Sequence, residues 1–276
     1  MSYETITLER DSENDHIAIL TLNRPEQLNS FNKQMCSDLI SALETADKDN
    51  TVRVIVVTGA GRAFCAGADI AEGFDAVAPV EVDEATGIGR DLGGVLNLKM
   101  FDLDTPIIAA INGAAVGIGA TMTIPMDLRI ASVKSKFAFP FSRRGIVFDG
   151  AASWFLPRLV GFAKASEWIL KADILKADEM LRAGFISEMV EPEDVLPRAL
   201  EVARDIAQNC SPSSTANNKR LLRASMFGLE TQSDVPYKMH LMESQMLTKA
   251  FASHDCQEGV KAFFEKRAPK FEDRKT

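Results

Sequence analysis

Along the first half of the chain, short apolar runs alternate with amphipathic stretches. Residues 4–8 and 17–22 read as strands, and the polar stretch Asp11-Ser-Glu-Asn-Asp15 between them predicts a hairpin. Residues 32–47 carry Met35, Leu39, Ile40, Leu43 and Ala46 at helical spacing. Val-Arg-Val-Ile-Val-Val over 52–57 is rich in β-branched residues and predicts a buried strand. A glycine-rich loop follows at 58–69, and the small, acidic, proline-containing residues 71–83 read as a mobile surface loop. The pattern then predicts a helix over 84–102 and a strand over 107–111. A glycine turn with a short helix is expected over 113–125, and short strands at 129–132 and 136–138. Beyond residue 150 the helical period dominates. Helices are expected at 151–159, 163–172, 177–183, 195–209, 213–226, 234–252 and 256–267, with one further strand at 187–190. No repeat of fixed period is present, although a structural repeat of strand–strand–helix units needs none.

The uncharged stretch 106–126 is long enough to span a bilayer. Pro106, Asn112, Gly113, Gly117, Gly119 and Pro125 punctuate it, so a strand, a turn and a short buried helix fit better. With 46% hydrophobic and 25% charged residues, the chain has the composition of a folded protein and not of a disordered one. The net charge of −8 disfavours nucleic acid and anionic membranes as partners. The three histidines, His16, His240 and His254, are isolated, which argues against a metal site or a histidine triad. The four cysteines are scattered without a C-x-x-C, and read as reduced, buried thiols of a cytoplasmic protein. No secretory signal is visible at the N-terminus and no peroxisomal tripeptide at the C-terminus.

Three segments carry candidate chemistry. The loop 58–69 begins Thr58-Gly-Ala-Gly61, but Phe64 stands where a dinucleotide fingerprint has its third glycine, and no P-loop pattern exists. A second glycine turn spans Gly113-Ala-Ala-Val-Gly-Ile-Gly119. Two such turns facing one pocket would offer unpaired backbone N–H groups to a developing oxyanion; close strand–helix packing explains the glycines equally well. Asp149 stands between an apolar stretch and a helix. It reads either as a helix cap or as a carboxylate whose pKa is raised by an apolar site.

Together these segments resemble the enoyl-CoA hydratase/isomerase (crotonase) family over nearly the whole chain. The resemblance rests on Leu22-Asn-Arg-Pro-Glu-Gln-Leu-Asn29, Ala63-Phe-Cys-Ala-Gly-Ala-Asp-Ile70, Pro106-Ile-Ile-Ala-Ala-Ile-Asn-Gly113 with Gly117-Ile-Gly119, Trp154-Phe-Leu-Pro-Arg-Leu-Val-Gly161 and Glu258-Gly-Val-Lys-Ala-Phe-Phe-Glu-Lys-Arg267. It implies an α/β fold: a spiral of ββα units over 1–200, with a helical trimerisation region over 201–276. It implies a homotrimer or a dimer of trimers. The substrate it implies is an acyl-CoA thioester, with no cofactor beyond the coenzyme A that the substrate carries. By position, the N–H groups of Ala66 and Ile118 would form the oxyanion hole. Ala66, Gly67, Ala68, Asp69 and Ile70 would line the CoA and acyl path, with Gly117 in the second turn. Gln27 and Leu28 would lie near the nucleotide, and Phe263 and Lys266 would reach CoA, commonly across a subunit boundary. A core aromatic and a solvated charge are the alternative roles for that last pair. Lys266 and Arg267 are the first cations to consider for the CoA anion.

The hydratase pattern is not met. A hydratase of the family uses two pocket glutamates, and the corresponding positions here are Thr121 and Phe141. In isomerase branches of the family the catalytic carboxylate lies at the position of Asp149. The resemblance therefore implies an enoyl-CoA isomerase with one acid–base aspartate. Hydration, another crotonase-type lyase or hydrolase reaction, and non-catalytic acyl-CoA binding stand as alternatives.

Overall fold

The computed structural model describes residues 3–69, 81–226, 254–267 and 269–273; within the last helix, the side chains at 256, 260, 263 and 264 lie outside the description. The expected helix at 234–252 and most of the loop at 71–83 also fall outside the described residues.

The predicted hairpin is present as β1 (Ile6–Asp11) and β2 (Asn14–Leu22), paired antiparallel. Helix α1 (Lys33–Lys48) follows, its first turn closed by Asn32, whose side-chain oxygen accepts from Met35 N at 2.9 Å. From there the chain winds as a spiral that places strands in two sheets. β3 (Val54–Gly59), β7 (Ile107–Ile111), β9 (Leu128–Ser132) and β12 (Glu188–Val190) extend β2 in parallel, giving a six-stranded sheet in the order β1-β2-β3-β7-β9-β12. The strands that follow three of them, β4 (Ala63–Cys65), β8 (Ala114–Val116) and β10 (Lys136–Ala138), pair in parallel in a second sheet. β11 (Ile174–Lys176) closes that sheet antiparallel to β10.

Alternation along the strands explains why the runs are apolar throughout. Ile55 and Val57 point into the main core with Ile107, Ala109 and Ile111, and meet Phe64, Ala115 and Phe137 of the second sheet. Val54, Val56, Ile108 and Ala110 point the other way, onto α7 (Val195–Asn209). That helix presents Val195, Ala199, Ala203 and Ala207 at intervals of four, a stripe narrow enough for the sheet to approach closely. A strand buried on both faces has no polar alternation to show.

The remaining helices are α2 (Leu92–Asp102), α3 (Ile118–Thr121), α4 (Ala152–Val160), α5 (Phe162–Lys171), α6 (Ala177–Arg182), α8 (Pro212–Met226) and α9 (His254–Glu265). Two expectations change. The helix expected from residue 84 begins only at Leu92, because Glu81–Val82 (β5) and Gly89–Arg90 (β6) form a small hairpin. Its turn is held by Asp83, which accepts from Thr86 N at 2.9 Å, and by Gly87 at φ +70°. β11 was also missed: Ile174 and Lys176 are exposed and only Leu175 points inward, too short a signal for period two. Cys36 and Cys65 are buried as expected, whereas Cys210 is exposed. The stretch 106–126 is a strand, a strand and a short helix, and among the described residues no helix is long and apolar enough to cross a membrane.

Candidate active site

The two glycine turns meet. A Cβ on Gly113 would lie 2.2 Å from the Arg62 carbonyl oxygen, and one on Gly119 would lie 2.1 Å from that of Cys65. Both glycines are there for backbone contact between the first loop and the second turn, the close packing that the sequence left open. That contact leaves a cavity of about 210 Å³ between the turns, lined by Ala66, Gly67, Ala68, Gly117, Ile118, Phe141 and Asp149 among others. Phe31, Leu92, Val116, Pro140 and Ile146 make the rest of its wall largely apolar, with Asp91 and Arg144 as its other charged members.

The first loop is held from outside by the turn at residues 24–30. Asn29, fully buried, donates through Nδ2 to the carbonyls of Ala60 at 2.9 Å and Ala63 at 2.8 Å, and its Oδ1 accepts from Arg24 N at 2.9 Å. Arg24 pairs with Asp69 at 2.8 Å. Sequence reading missed Asn29 as a scaffold residue; a polar side chain in a turn gives no sign that its partners lie more than thirty residues away.

One of the two N–H groups expected at an oxyanion hole is already engaged within the protein. Ala66 N–H, expected to be one of the pair, donates to the Leu28 carbonyl at 3.0 Å. Ala68 forms a parallel bridge with Phe31, in which Phe31 N donates to Gly67 O and Asp69 N donates to Phe31 O, both at 2.8 Å. Alternation along an extended backbone turns Ala68 N–H away from Phe31, and among the described residues it has no acceptor. Ile118 is the first residue of α3, so its N–H has no helical acceptor, and none is supplied by another described residue.

Asp149 is not a helix cap. The N-cap of α4 is Ala151, in the left-handed conformation and without a side-chain bond. The Asp149 carboxylate instead accepts from Thr121 Oγ1 at 2.7 Å. Burial pushes its pKa up to about 6, the Thr121 bond opposes that rise, and the charge of Asp91 adds to it. Thr121 is fully buried, and Phe141, also buried, has its ring centroid 6.5 Å from that of Phe148. The positions where a hydratase carries glutamates thus supply a hydroxyl anchor and an apolar wall. Beside them the Cys65 thiol is pushed up to about 12 by burial, which leaves it protonated at neutral pH.

The other expected site residues that are described do not line the cavity. Gln27 is exposed and Leu28 half-buried, both outside its lining, and the Asp69 side chain turns to Arg24. Lys266 is exposed just past the end of α9, and Arg267 pairs with Glu258 and Glu265. Ile70 and the side chain of Phe263 lie outside the described residues.

Two mainly parallel sheets wound as one spiral, each with an antiparallel edge strand, and a cavity between a pair of glycine turns define a crotonase-type architecture. The chain belongs to the enoyl-CoA hydratase/isomerase family, whose model matches residues 12–274. It is 42% identical over 260 residues to an enoyl-CoA hydratase of Alternaria alternata, covering 94% of this chain and 84% of that protein. It is 35% identical over 262 residues to the 1,2-epoxyphenylacetyl-CoA isomerase of Escherichia coli K12, covering 92% and 94%. Among solved structures, an enoyl-CoA hydratase from Bacillus anthracis superposes with a TM-score of 0.84 at 26% identity, covering 97% of this chain and 99% of that one.

Proposed function

We propose that the protein is an enoyl-CoA isomerase that converts a 3-enoyl-CoA to the 2-enoyl-CoA, with Asp149 as its acid–base group. The observation that carries this reading is a largely apolar cavity whose half-buried Asp149 is bound to Thr121, with Phe141 replacing a second carboxylate. In this reading the thioester oxygen accepts from the N–H groups of Ala68 and Ile118. Ionised Asp149 takes a proton from C2, and the electron pair delocalises over the dienolate to the thioester oxygen. Each N–H donor contributes on the order of 3 kcal/mol to stabilising that charge. The protonated Asp149 returns the proton to C4 and is ionised again. One carboxylate suffices because the same proton leaves and returns, and the apolar wall at Phe141 disfavours water at the reacting carbons.

The substrate carries coenzyme A, and the reading requires no other cofactor. It includes assembly into a homotrimer or a dimer of trimers, which sedimentation velocity tests, and a cytoplasmic location. Incubation with 3-hexenoyl-CoA should raise the absorbance of the conjugated thioester without change in mass, and Asp149→Asn should abolish this. Full activity of Asp149→Asn, or a product heavier by one water, would contradict the proposal. The hydratase name of the 42% identical relative favours hydration with Asp149 as sole base as the second reading. The added mass of water would identify it.

A further inference from the structure

We infer that Asp91 and Asn97 of the α2 segment form a clamp on the backbone of Gly150, the residue after Asp149, and that Asp91 also sets its negative charge against that of Asp149. Asp91 is thereby a positioning residue. The inference rests on Asp149 being the acid–base group.

Gly150 sits at φ +68° and is gripped at both of its backbone polar groups. Asp91 Oδ1 accepts from Gly150 N at 3.2 Å, and Asn97 Nδ2 donates to Gly150 O at 2.7 Å. Asn97 Nδ2 also donates to Thr121 O at 3.0 Å, so one buried amide ties together the segments that carry Thr121 and Asp149. Capping α2 does not require this arrangement. The cap is complete once Asp91 Oδ1 accepts from Gly94 N at 2.7 Å; the bond to Gly150, 59 residues away, is additional.

The glycines around the clamp make it close. A Cβ on Gly150 would lie 2.7 Å from Asn97 Nδ2, and one on Gly93 would lie 2.6 Å from Ile118 Cδ1 and 3.3 Å from Gly150 N. The start of α2 therefore packs against both the oxyanion side and the carboxylate side of the cavity. The polar and charged groups around Asp149 are Thr121 from α3, Cys65 from β4, Arg144 from the turn at 142–144, and Asp91. Asp91 and Arg144 line the same cavity as Asp149. Among the described residues, Asp91 is the acidic group that helps hold the proton on Asp149; its effect is smaller than that of burial, which acts the same way, and that of the Thr121 bond, which opposes it.

The test reads Asp149 directly. Its carboxyl is titrated by infrared spectroscopy, assigned by the difference from Asp149→Asn, in the wild type, Asp91→Asn and Asp91→Ala, with kcat against pH measured on 3-hexenoyl-CoA. Asn caps a helix as well as Asp does, so Asp91→Asn keeps the fold and the Gly150 bond but loses the charge. Its Asp149 midpoint should fall by on the order of half a pH unit, with the acid limb of kcat following and the plateau within about threefold. Asp91→Ala should show the same fall and a plateau lower by about tenfold or more, because the carboxylate is no longer held in place. An unmoved midpoint in Asp91→Asn, or an undiminished plateau in Asp91→Ala, overturns the inference. A moved midpoint in a protein that isomerises no 3-enoyl-CoA would support the charge effect of Asp91 and overturn the isomerase reading.

Discussion

The hydroxyl of Thr121 and the carboxylate of Asp149, 28 residues apart in the chain, are joined by a hydrogen bond of 2.7 Å. Thr121 stands where a hydratase would carry its first glutamate. An acid–base position has thus become the anchor of a carboxylate that enters from another segment. The anchor favours the ionised form, so its loss should raise the Asp149 pKa above about 6. Thr121→Val should therefore shift the acid limb of kcat/KM to higher pH and lower kcat near neutrality by about tenfold. Thr121→Ser, which keeps the hydroxyl, should stay close to wild type. Initial rates across pH check both variants.

The raised Asp149 pKa fixes the pH response. A base with a midpoint of about 6 is mostly ionised at neutral pH, so kcat/KM should fall about tenfold for each pH unit well below that midpoint.

The same shift has a cost in stability. The folded state holds the Asp149 proton over the window from 3.8 to about 6, where the unfolded chain has released it. Folding stability from this group therefore falls as pH rises through the window, and the loss is complete above it. Asp149→Asn should be more stable than wild type by on the order of 2 kcal/mol at pH 8, and by little at pH 4. Urea denaturation at the two pH values measures the difference.

Ile118 offers a test of the proposed oxyanion hole that spares the fold. It is the first residue of α3, a position where proline is tolerated because the N–H has no helical acceptor. Ile118→Pro should retain the circular dichroism of the wild type and lose about 100- to 1000-fold in kcat.

Asn29 should matter to the fold before it matters to the chemistry. Asn29→Ala leaves the carbonyls of Ala60 and Ala63 without their donor inside the protein. A loss of about 2–3 kcal/mol in stability is expected, seen in thermal unfolding. Activity per folded molecule should fall as well, since those carbonyls hold the loop that carries Ala68.

The first loop shows where sequence reading stops. Its glycines and the Ala-Gly-Ala-Asp motif mark it as a site, yet which N–H is free depends on pairing with a distant turn. Leu28 takes the N–H of Ala66, and Phe31 aligns Ala68, and neither bond has a local signature. Asp91 was hidden for a different reason. Small residues around Gly87 and Gly89 did not interrupt the expected helix strongly enough to move its start to Leu92, so Asp91 read as mid-helix and not as its cap.

The sequence by itself determined most of the elements, the family and the candidate carboxylate. Strand runs, helix periods and glycine turns are set by neighbours a few residues apart, and the departure from the two-glutamate pattern is a matter of residue identity at Thr121 and Phe141. The tertiary structure alone decided what those residues do. It bound Thr121 to Asp149, withdrew Ala66 N–H, left those of Ala68 and Ile118 without acceptors among the described residues, and brought Asp91 and Asn97 onto Gly150. Hydrogen-bond saturation and burial depend on which segments the spiral stacks together, and no local pattern in the chain encodes that.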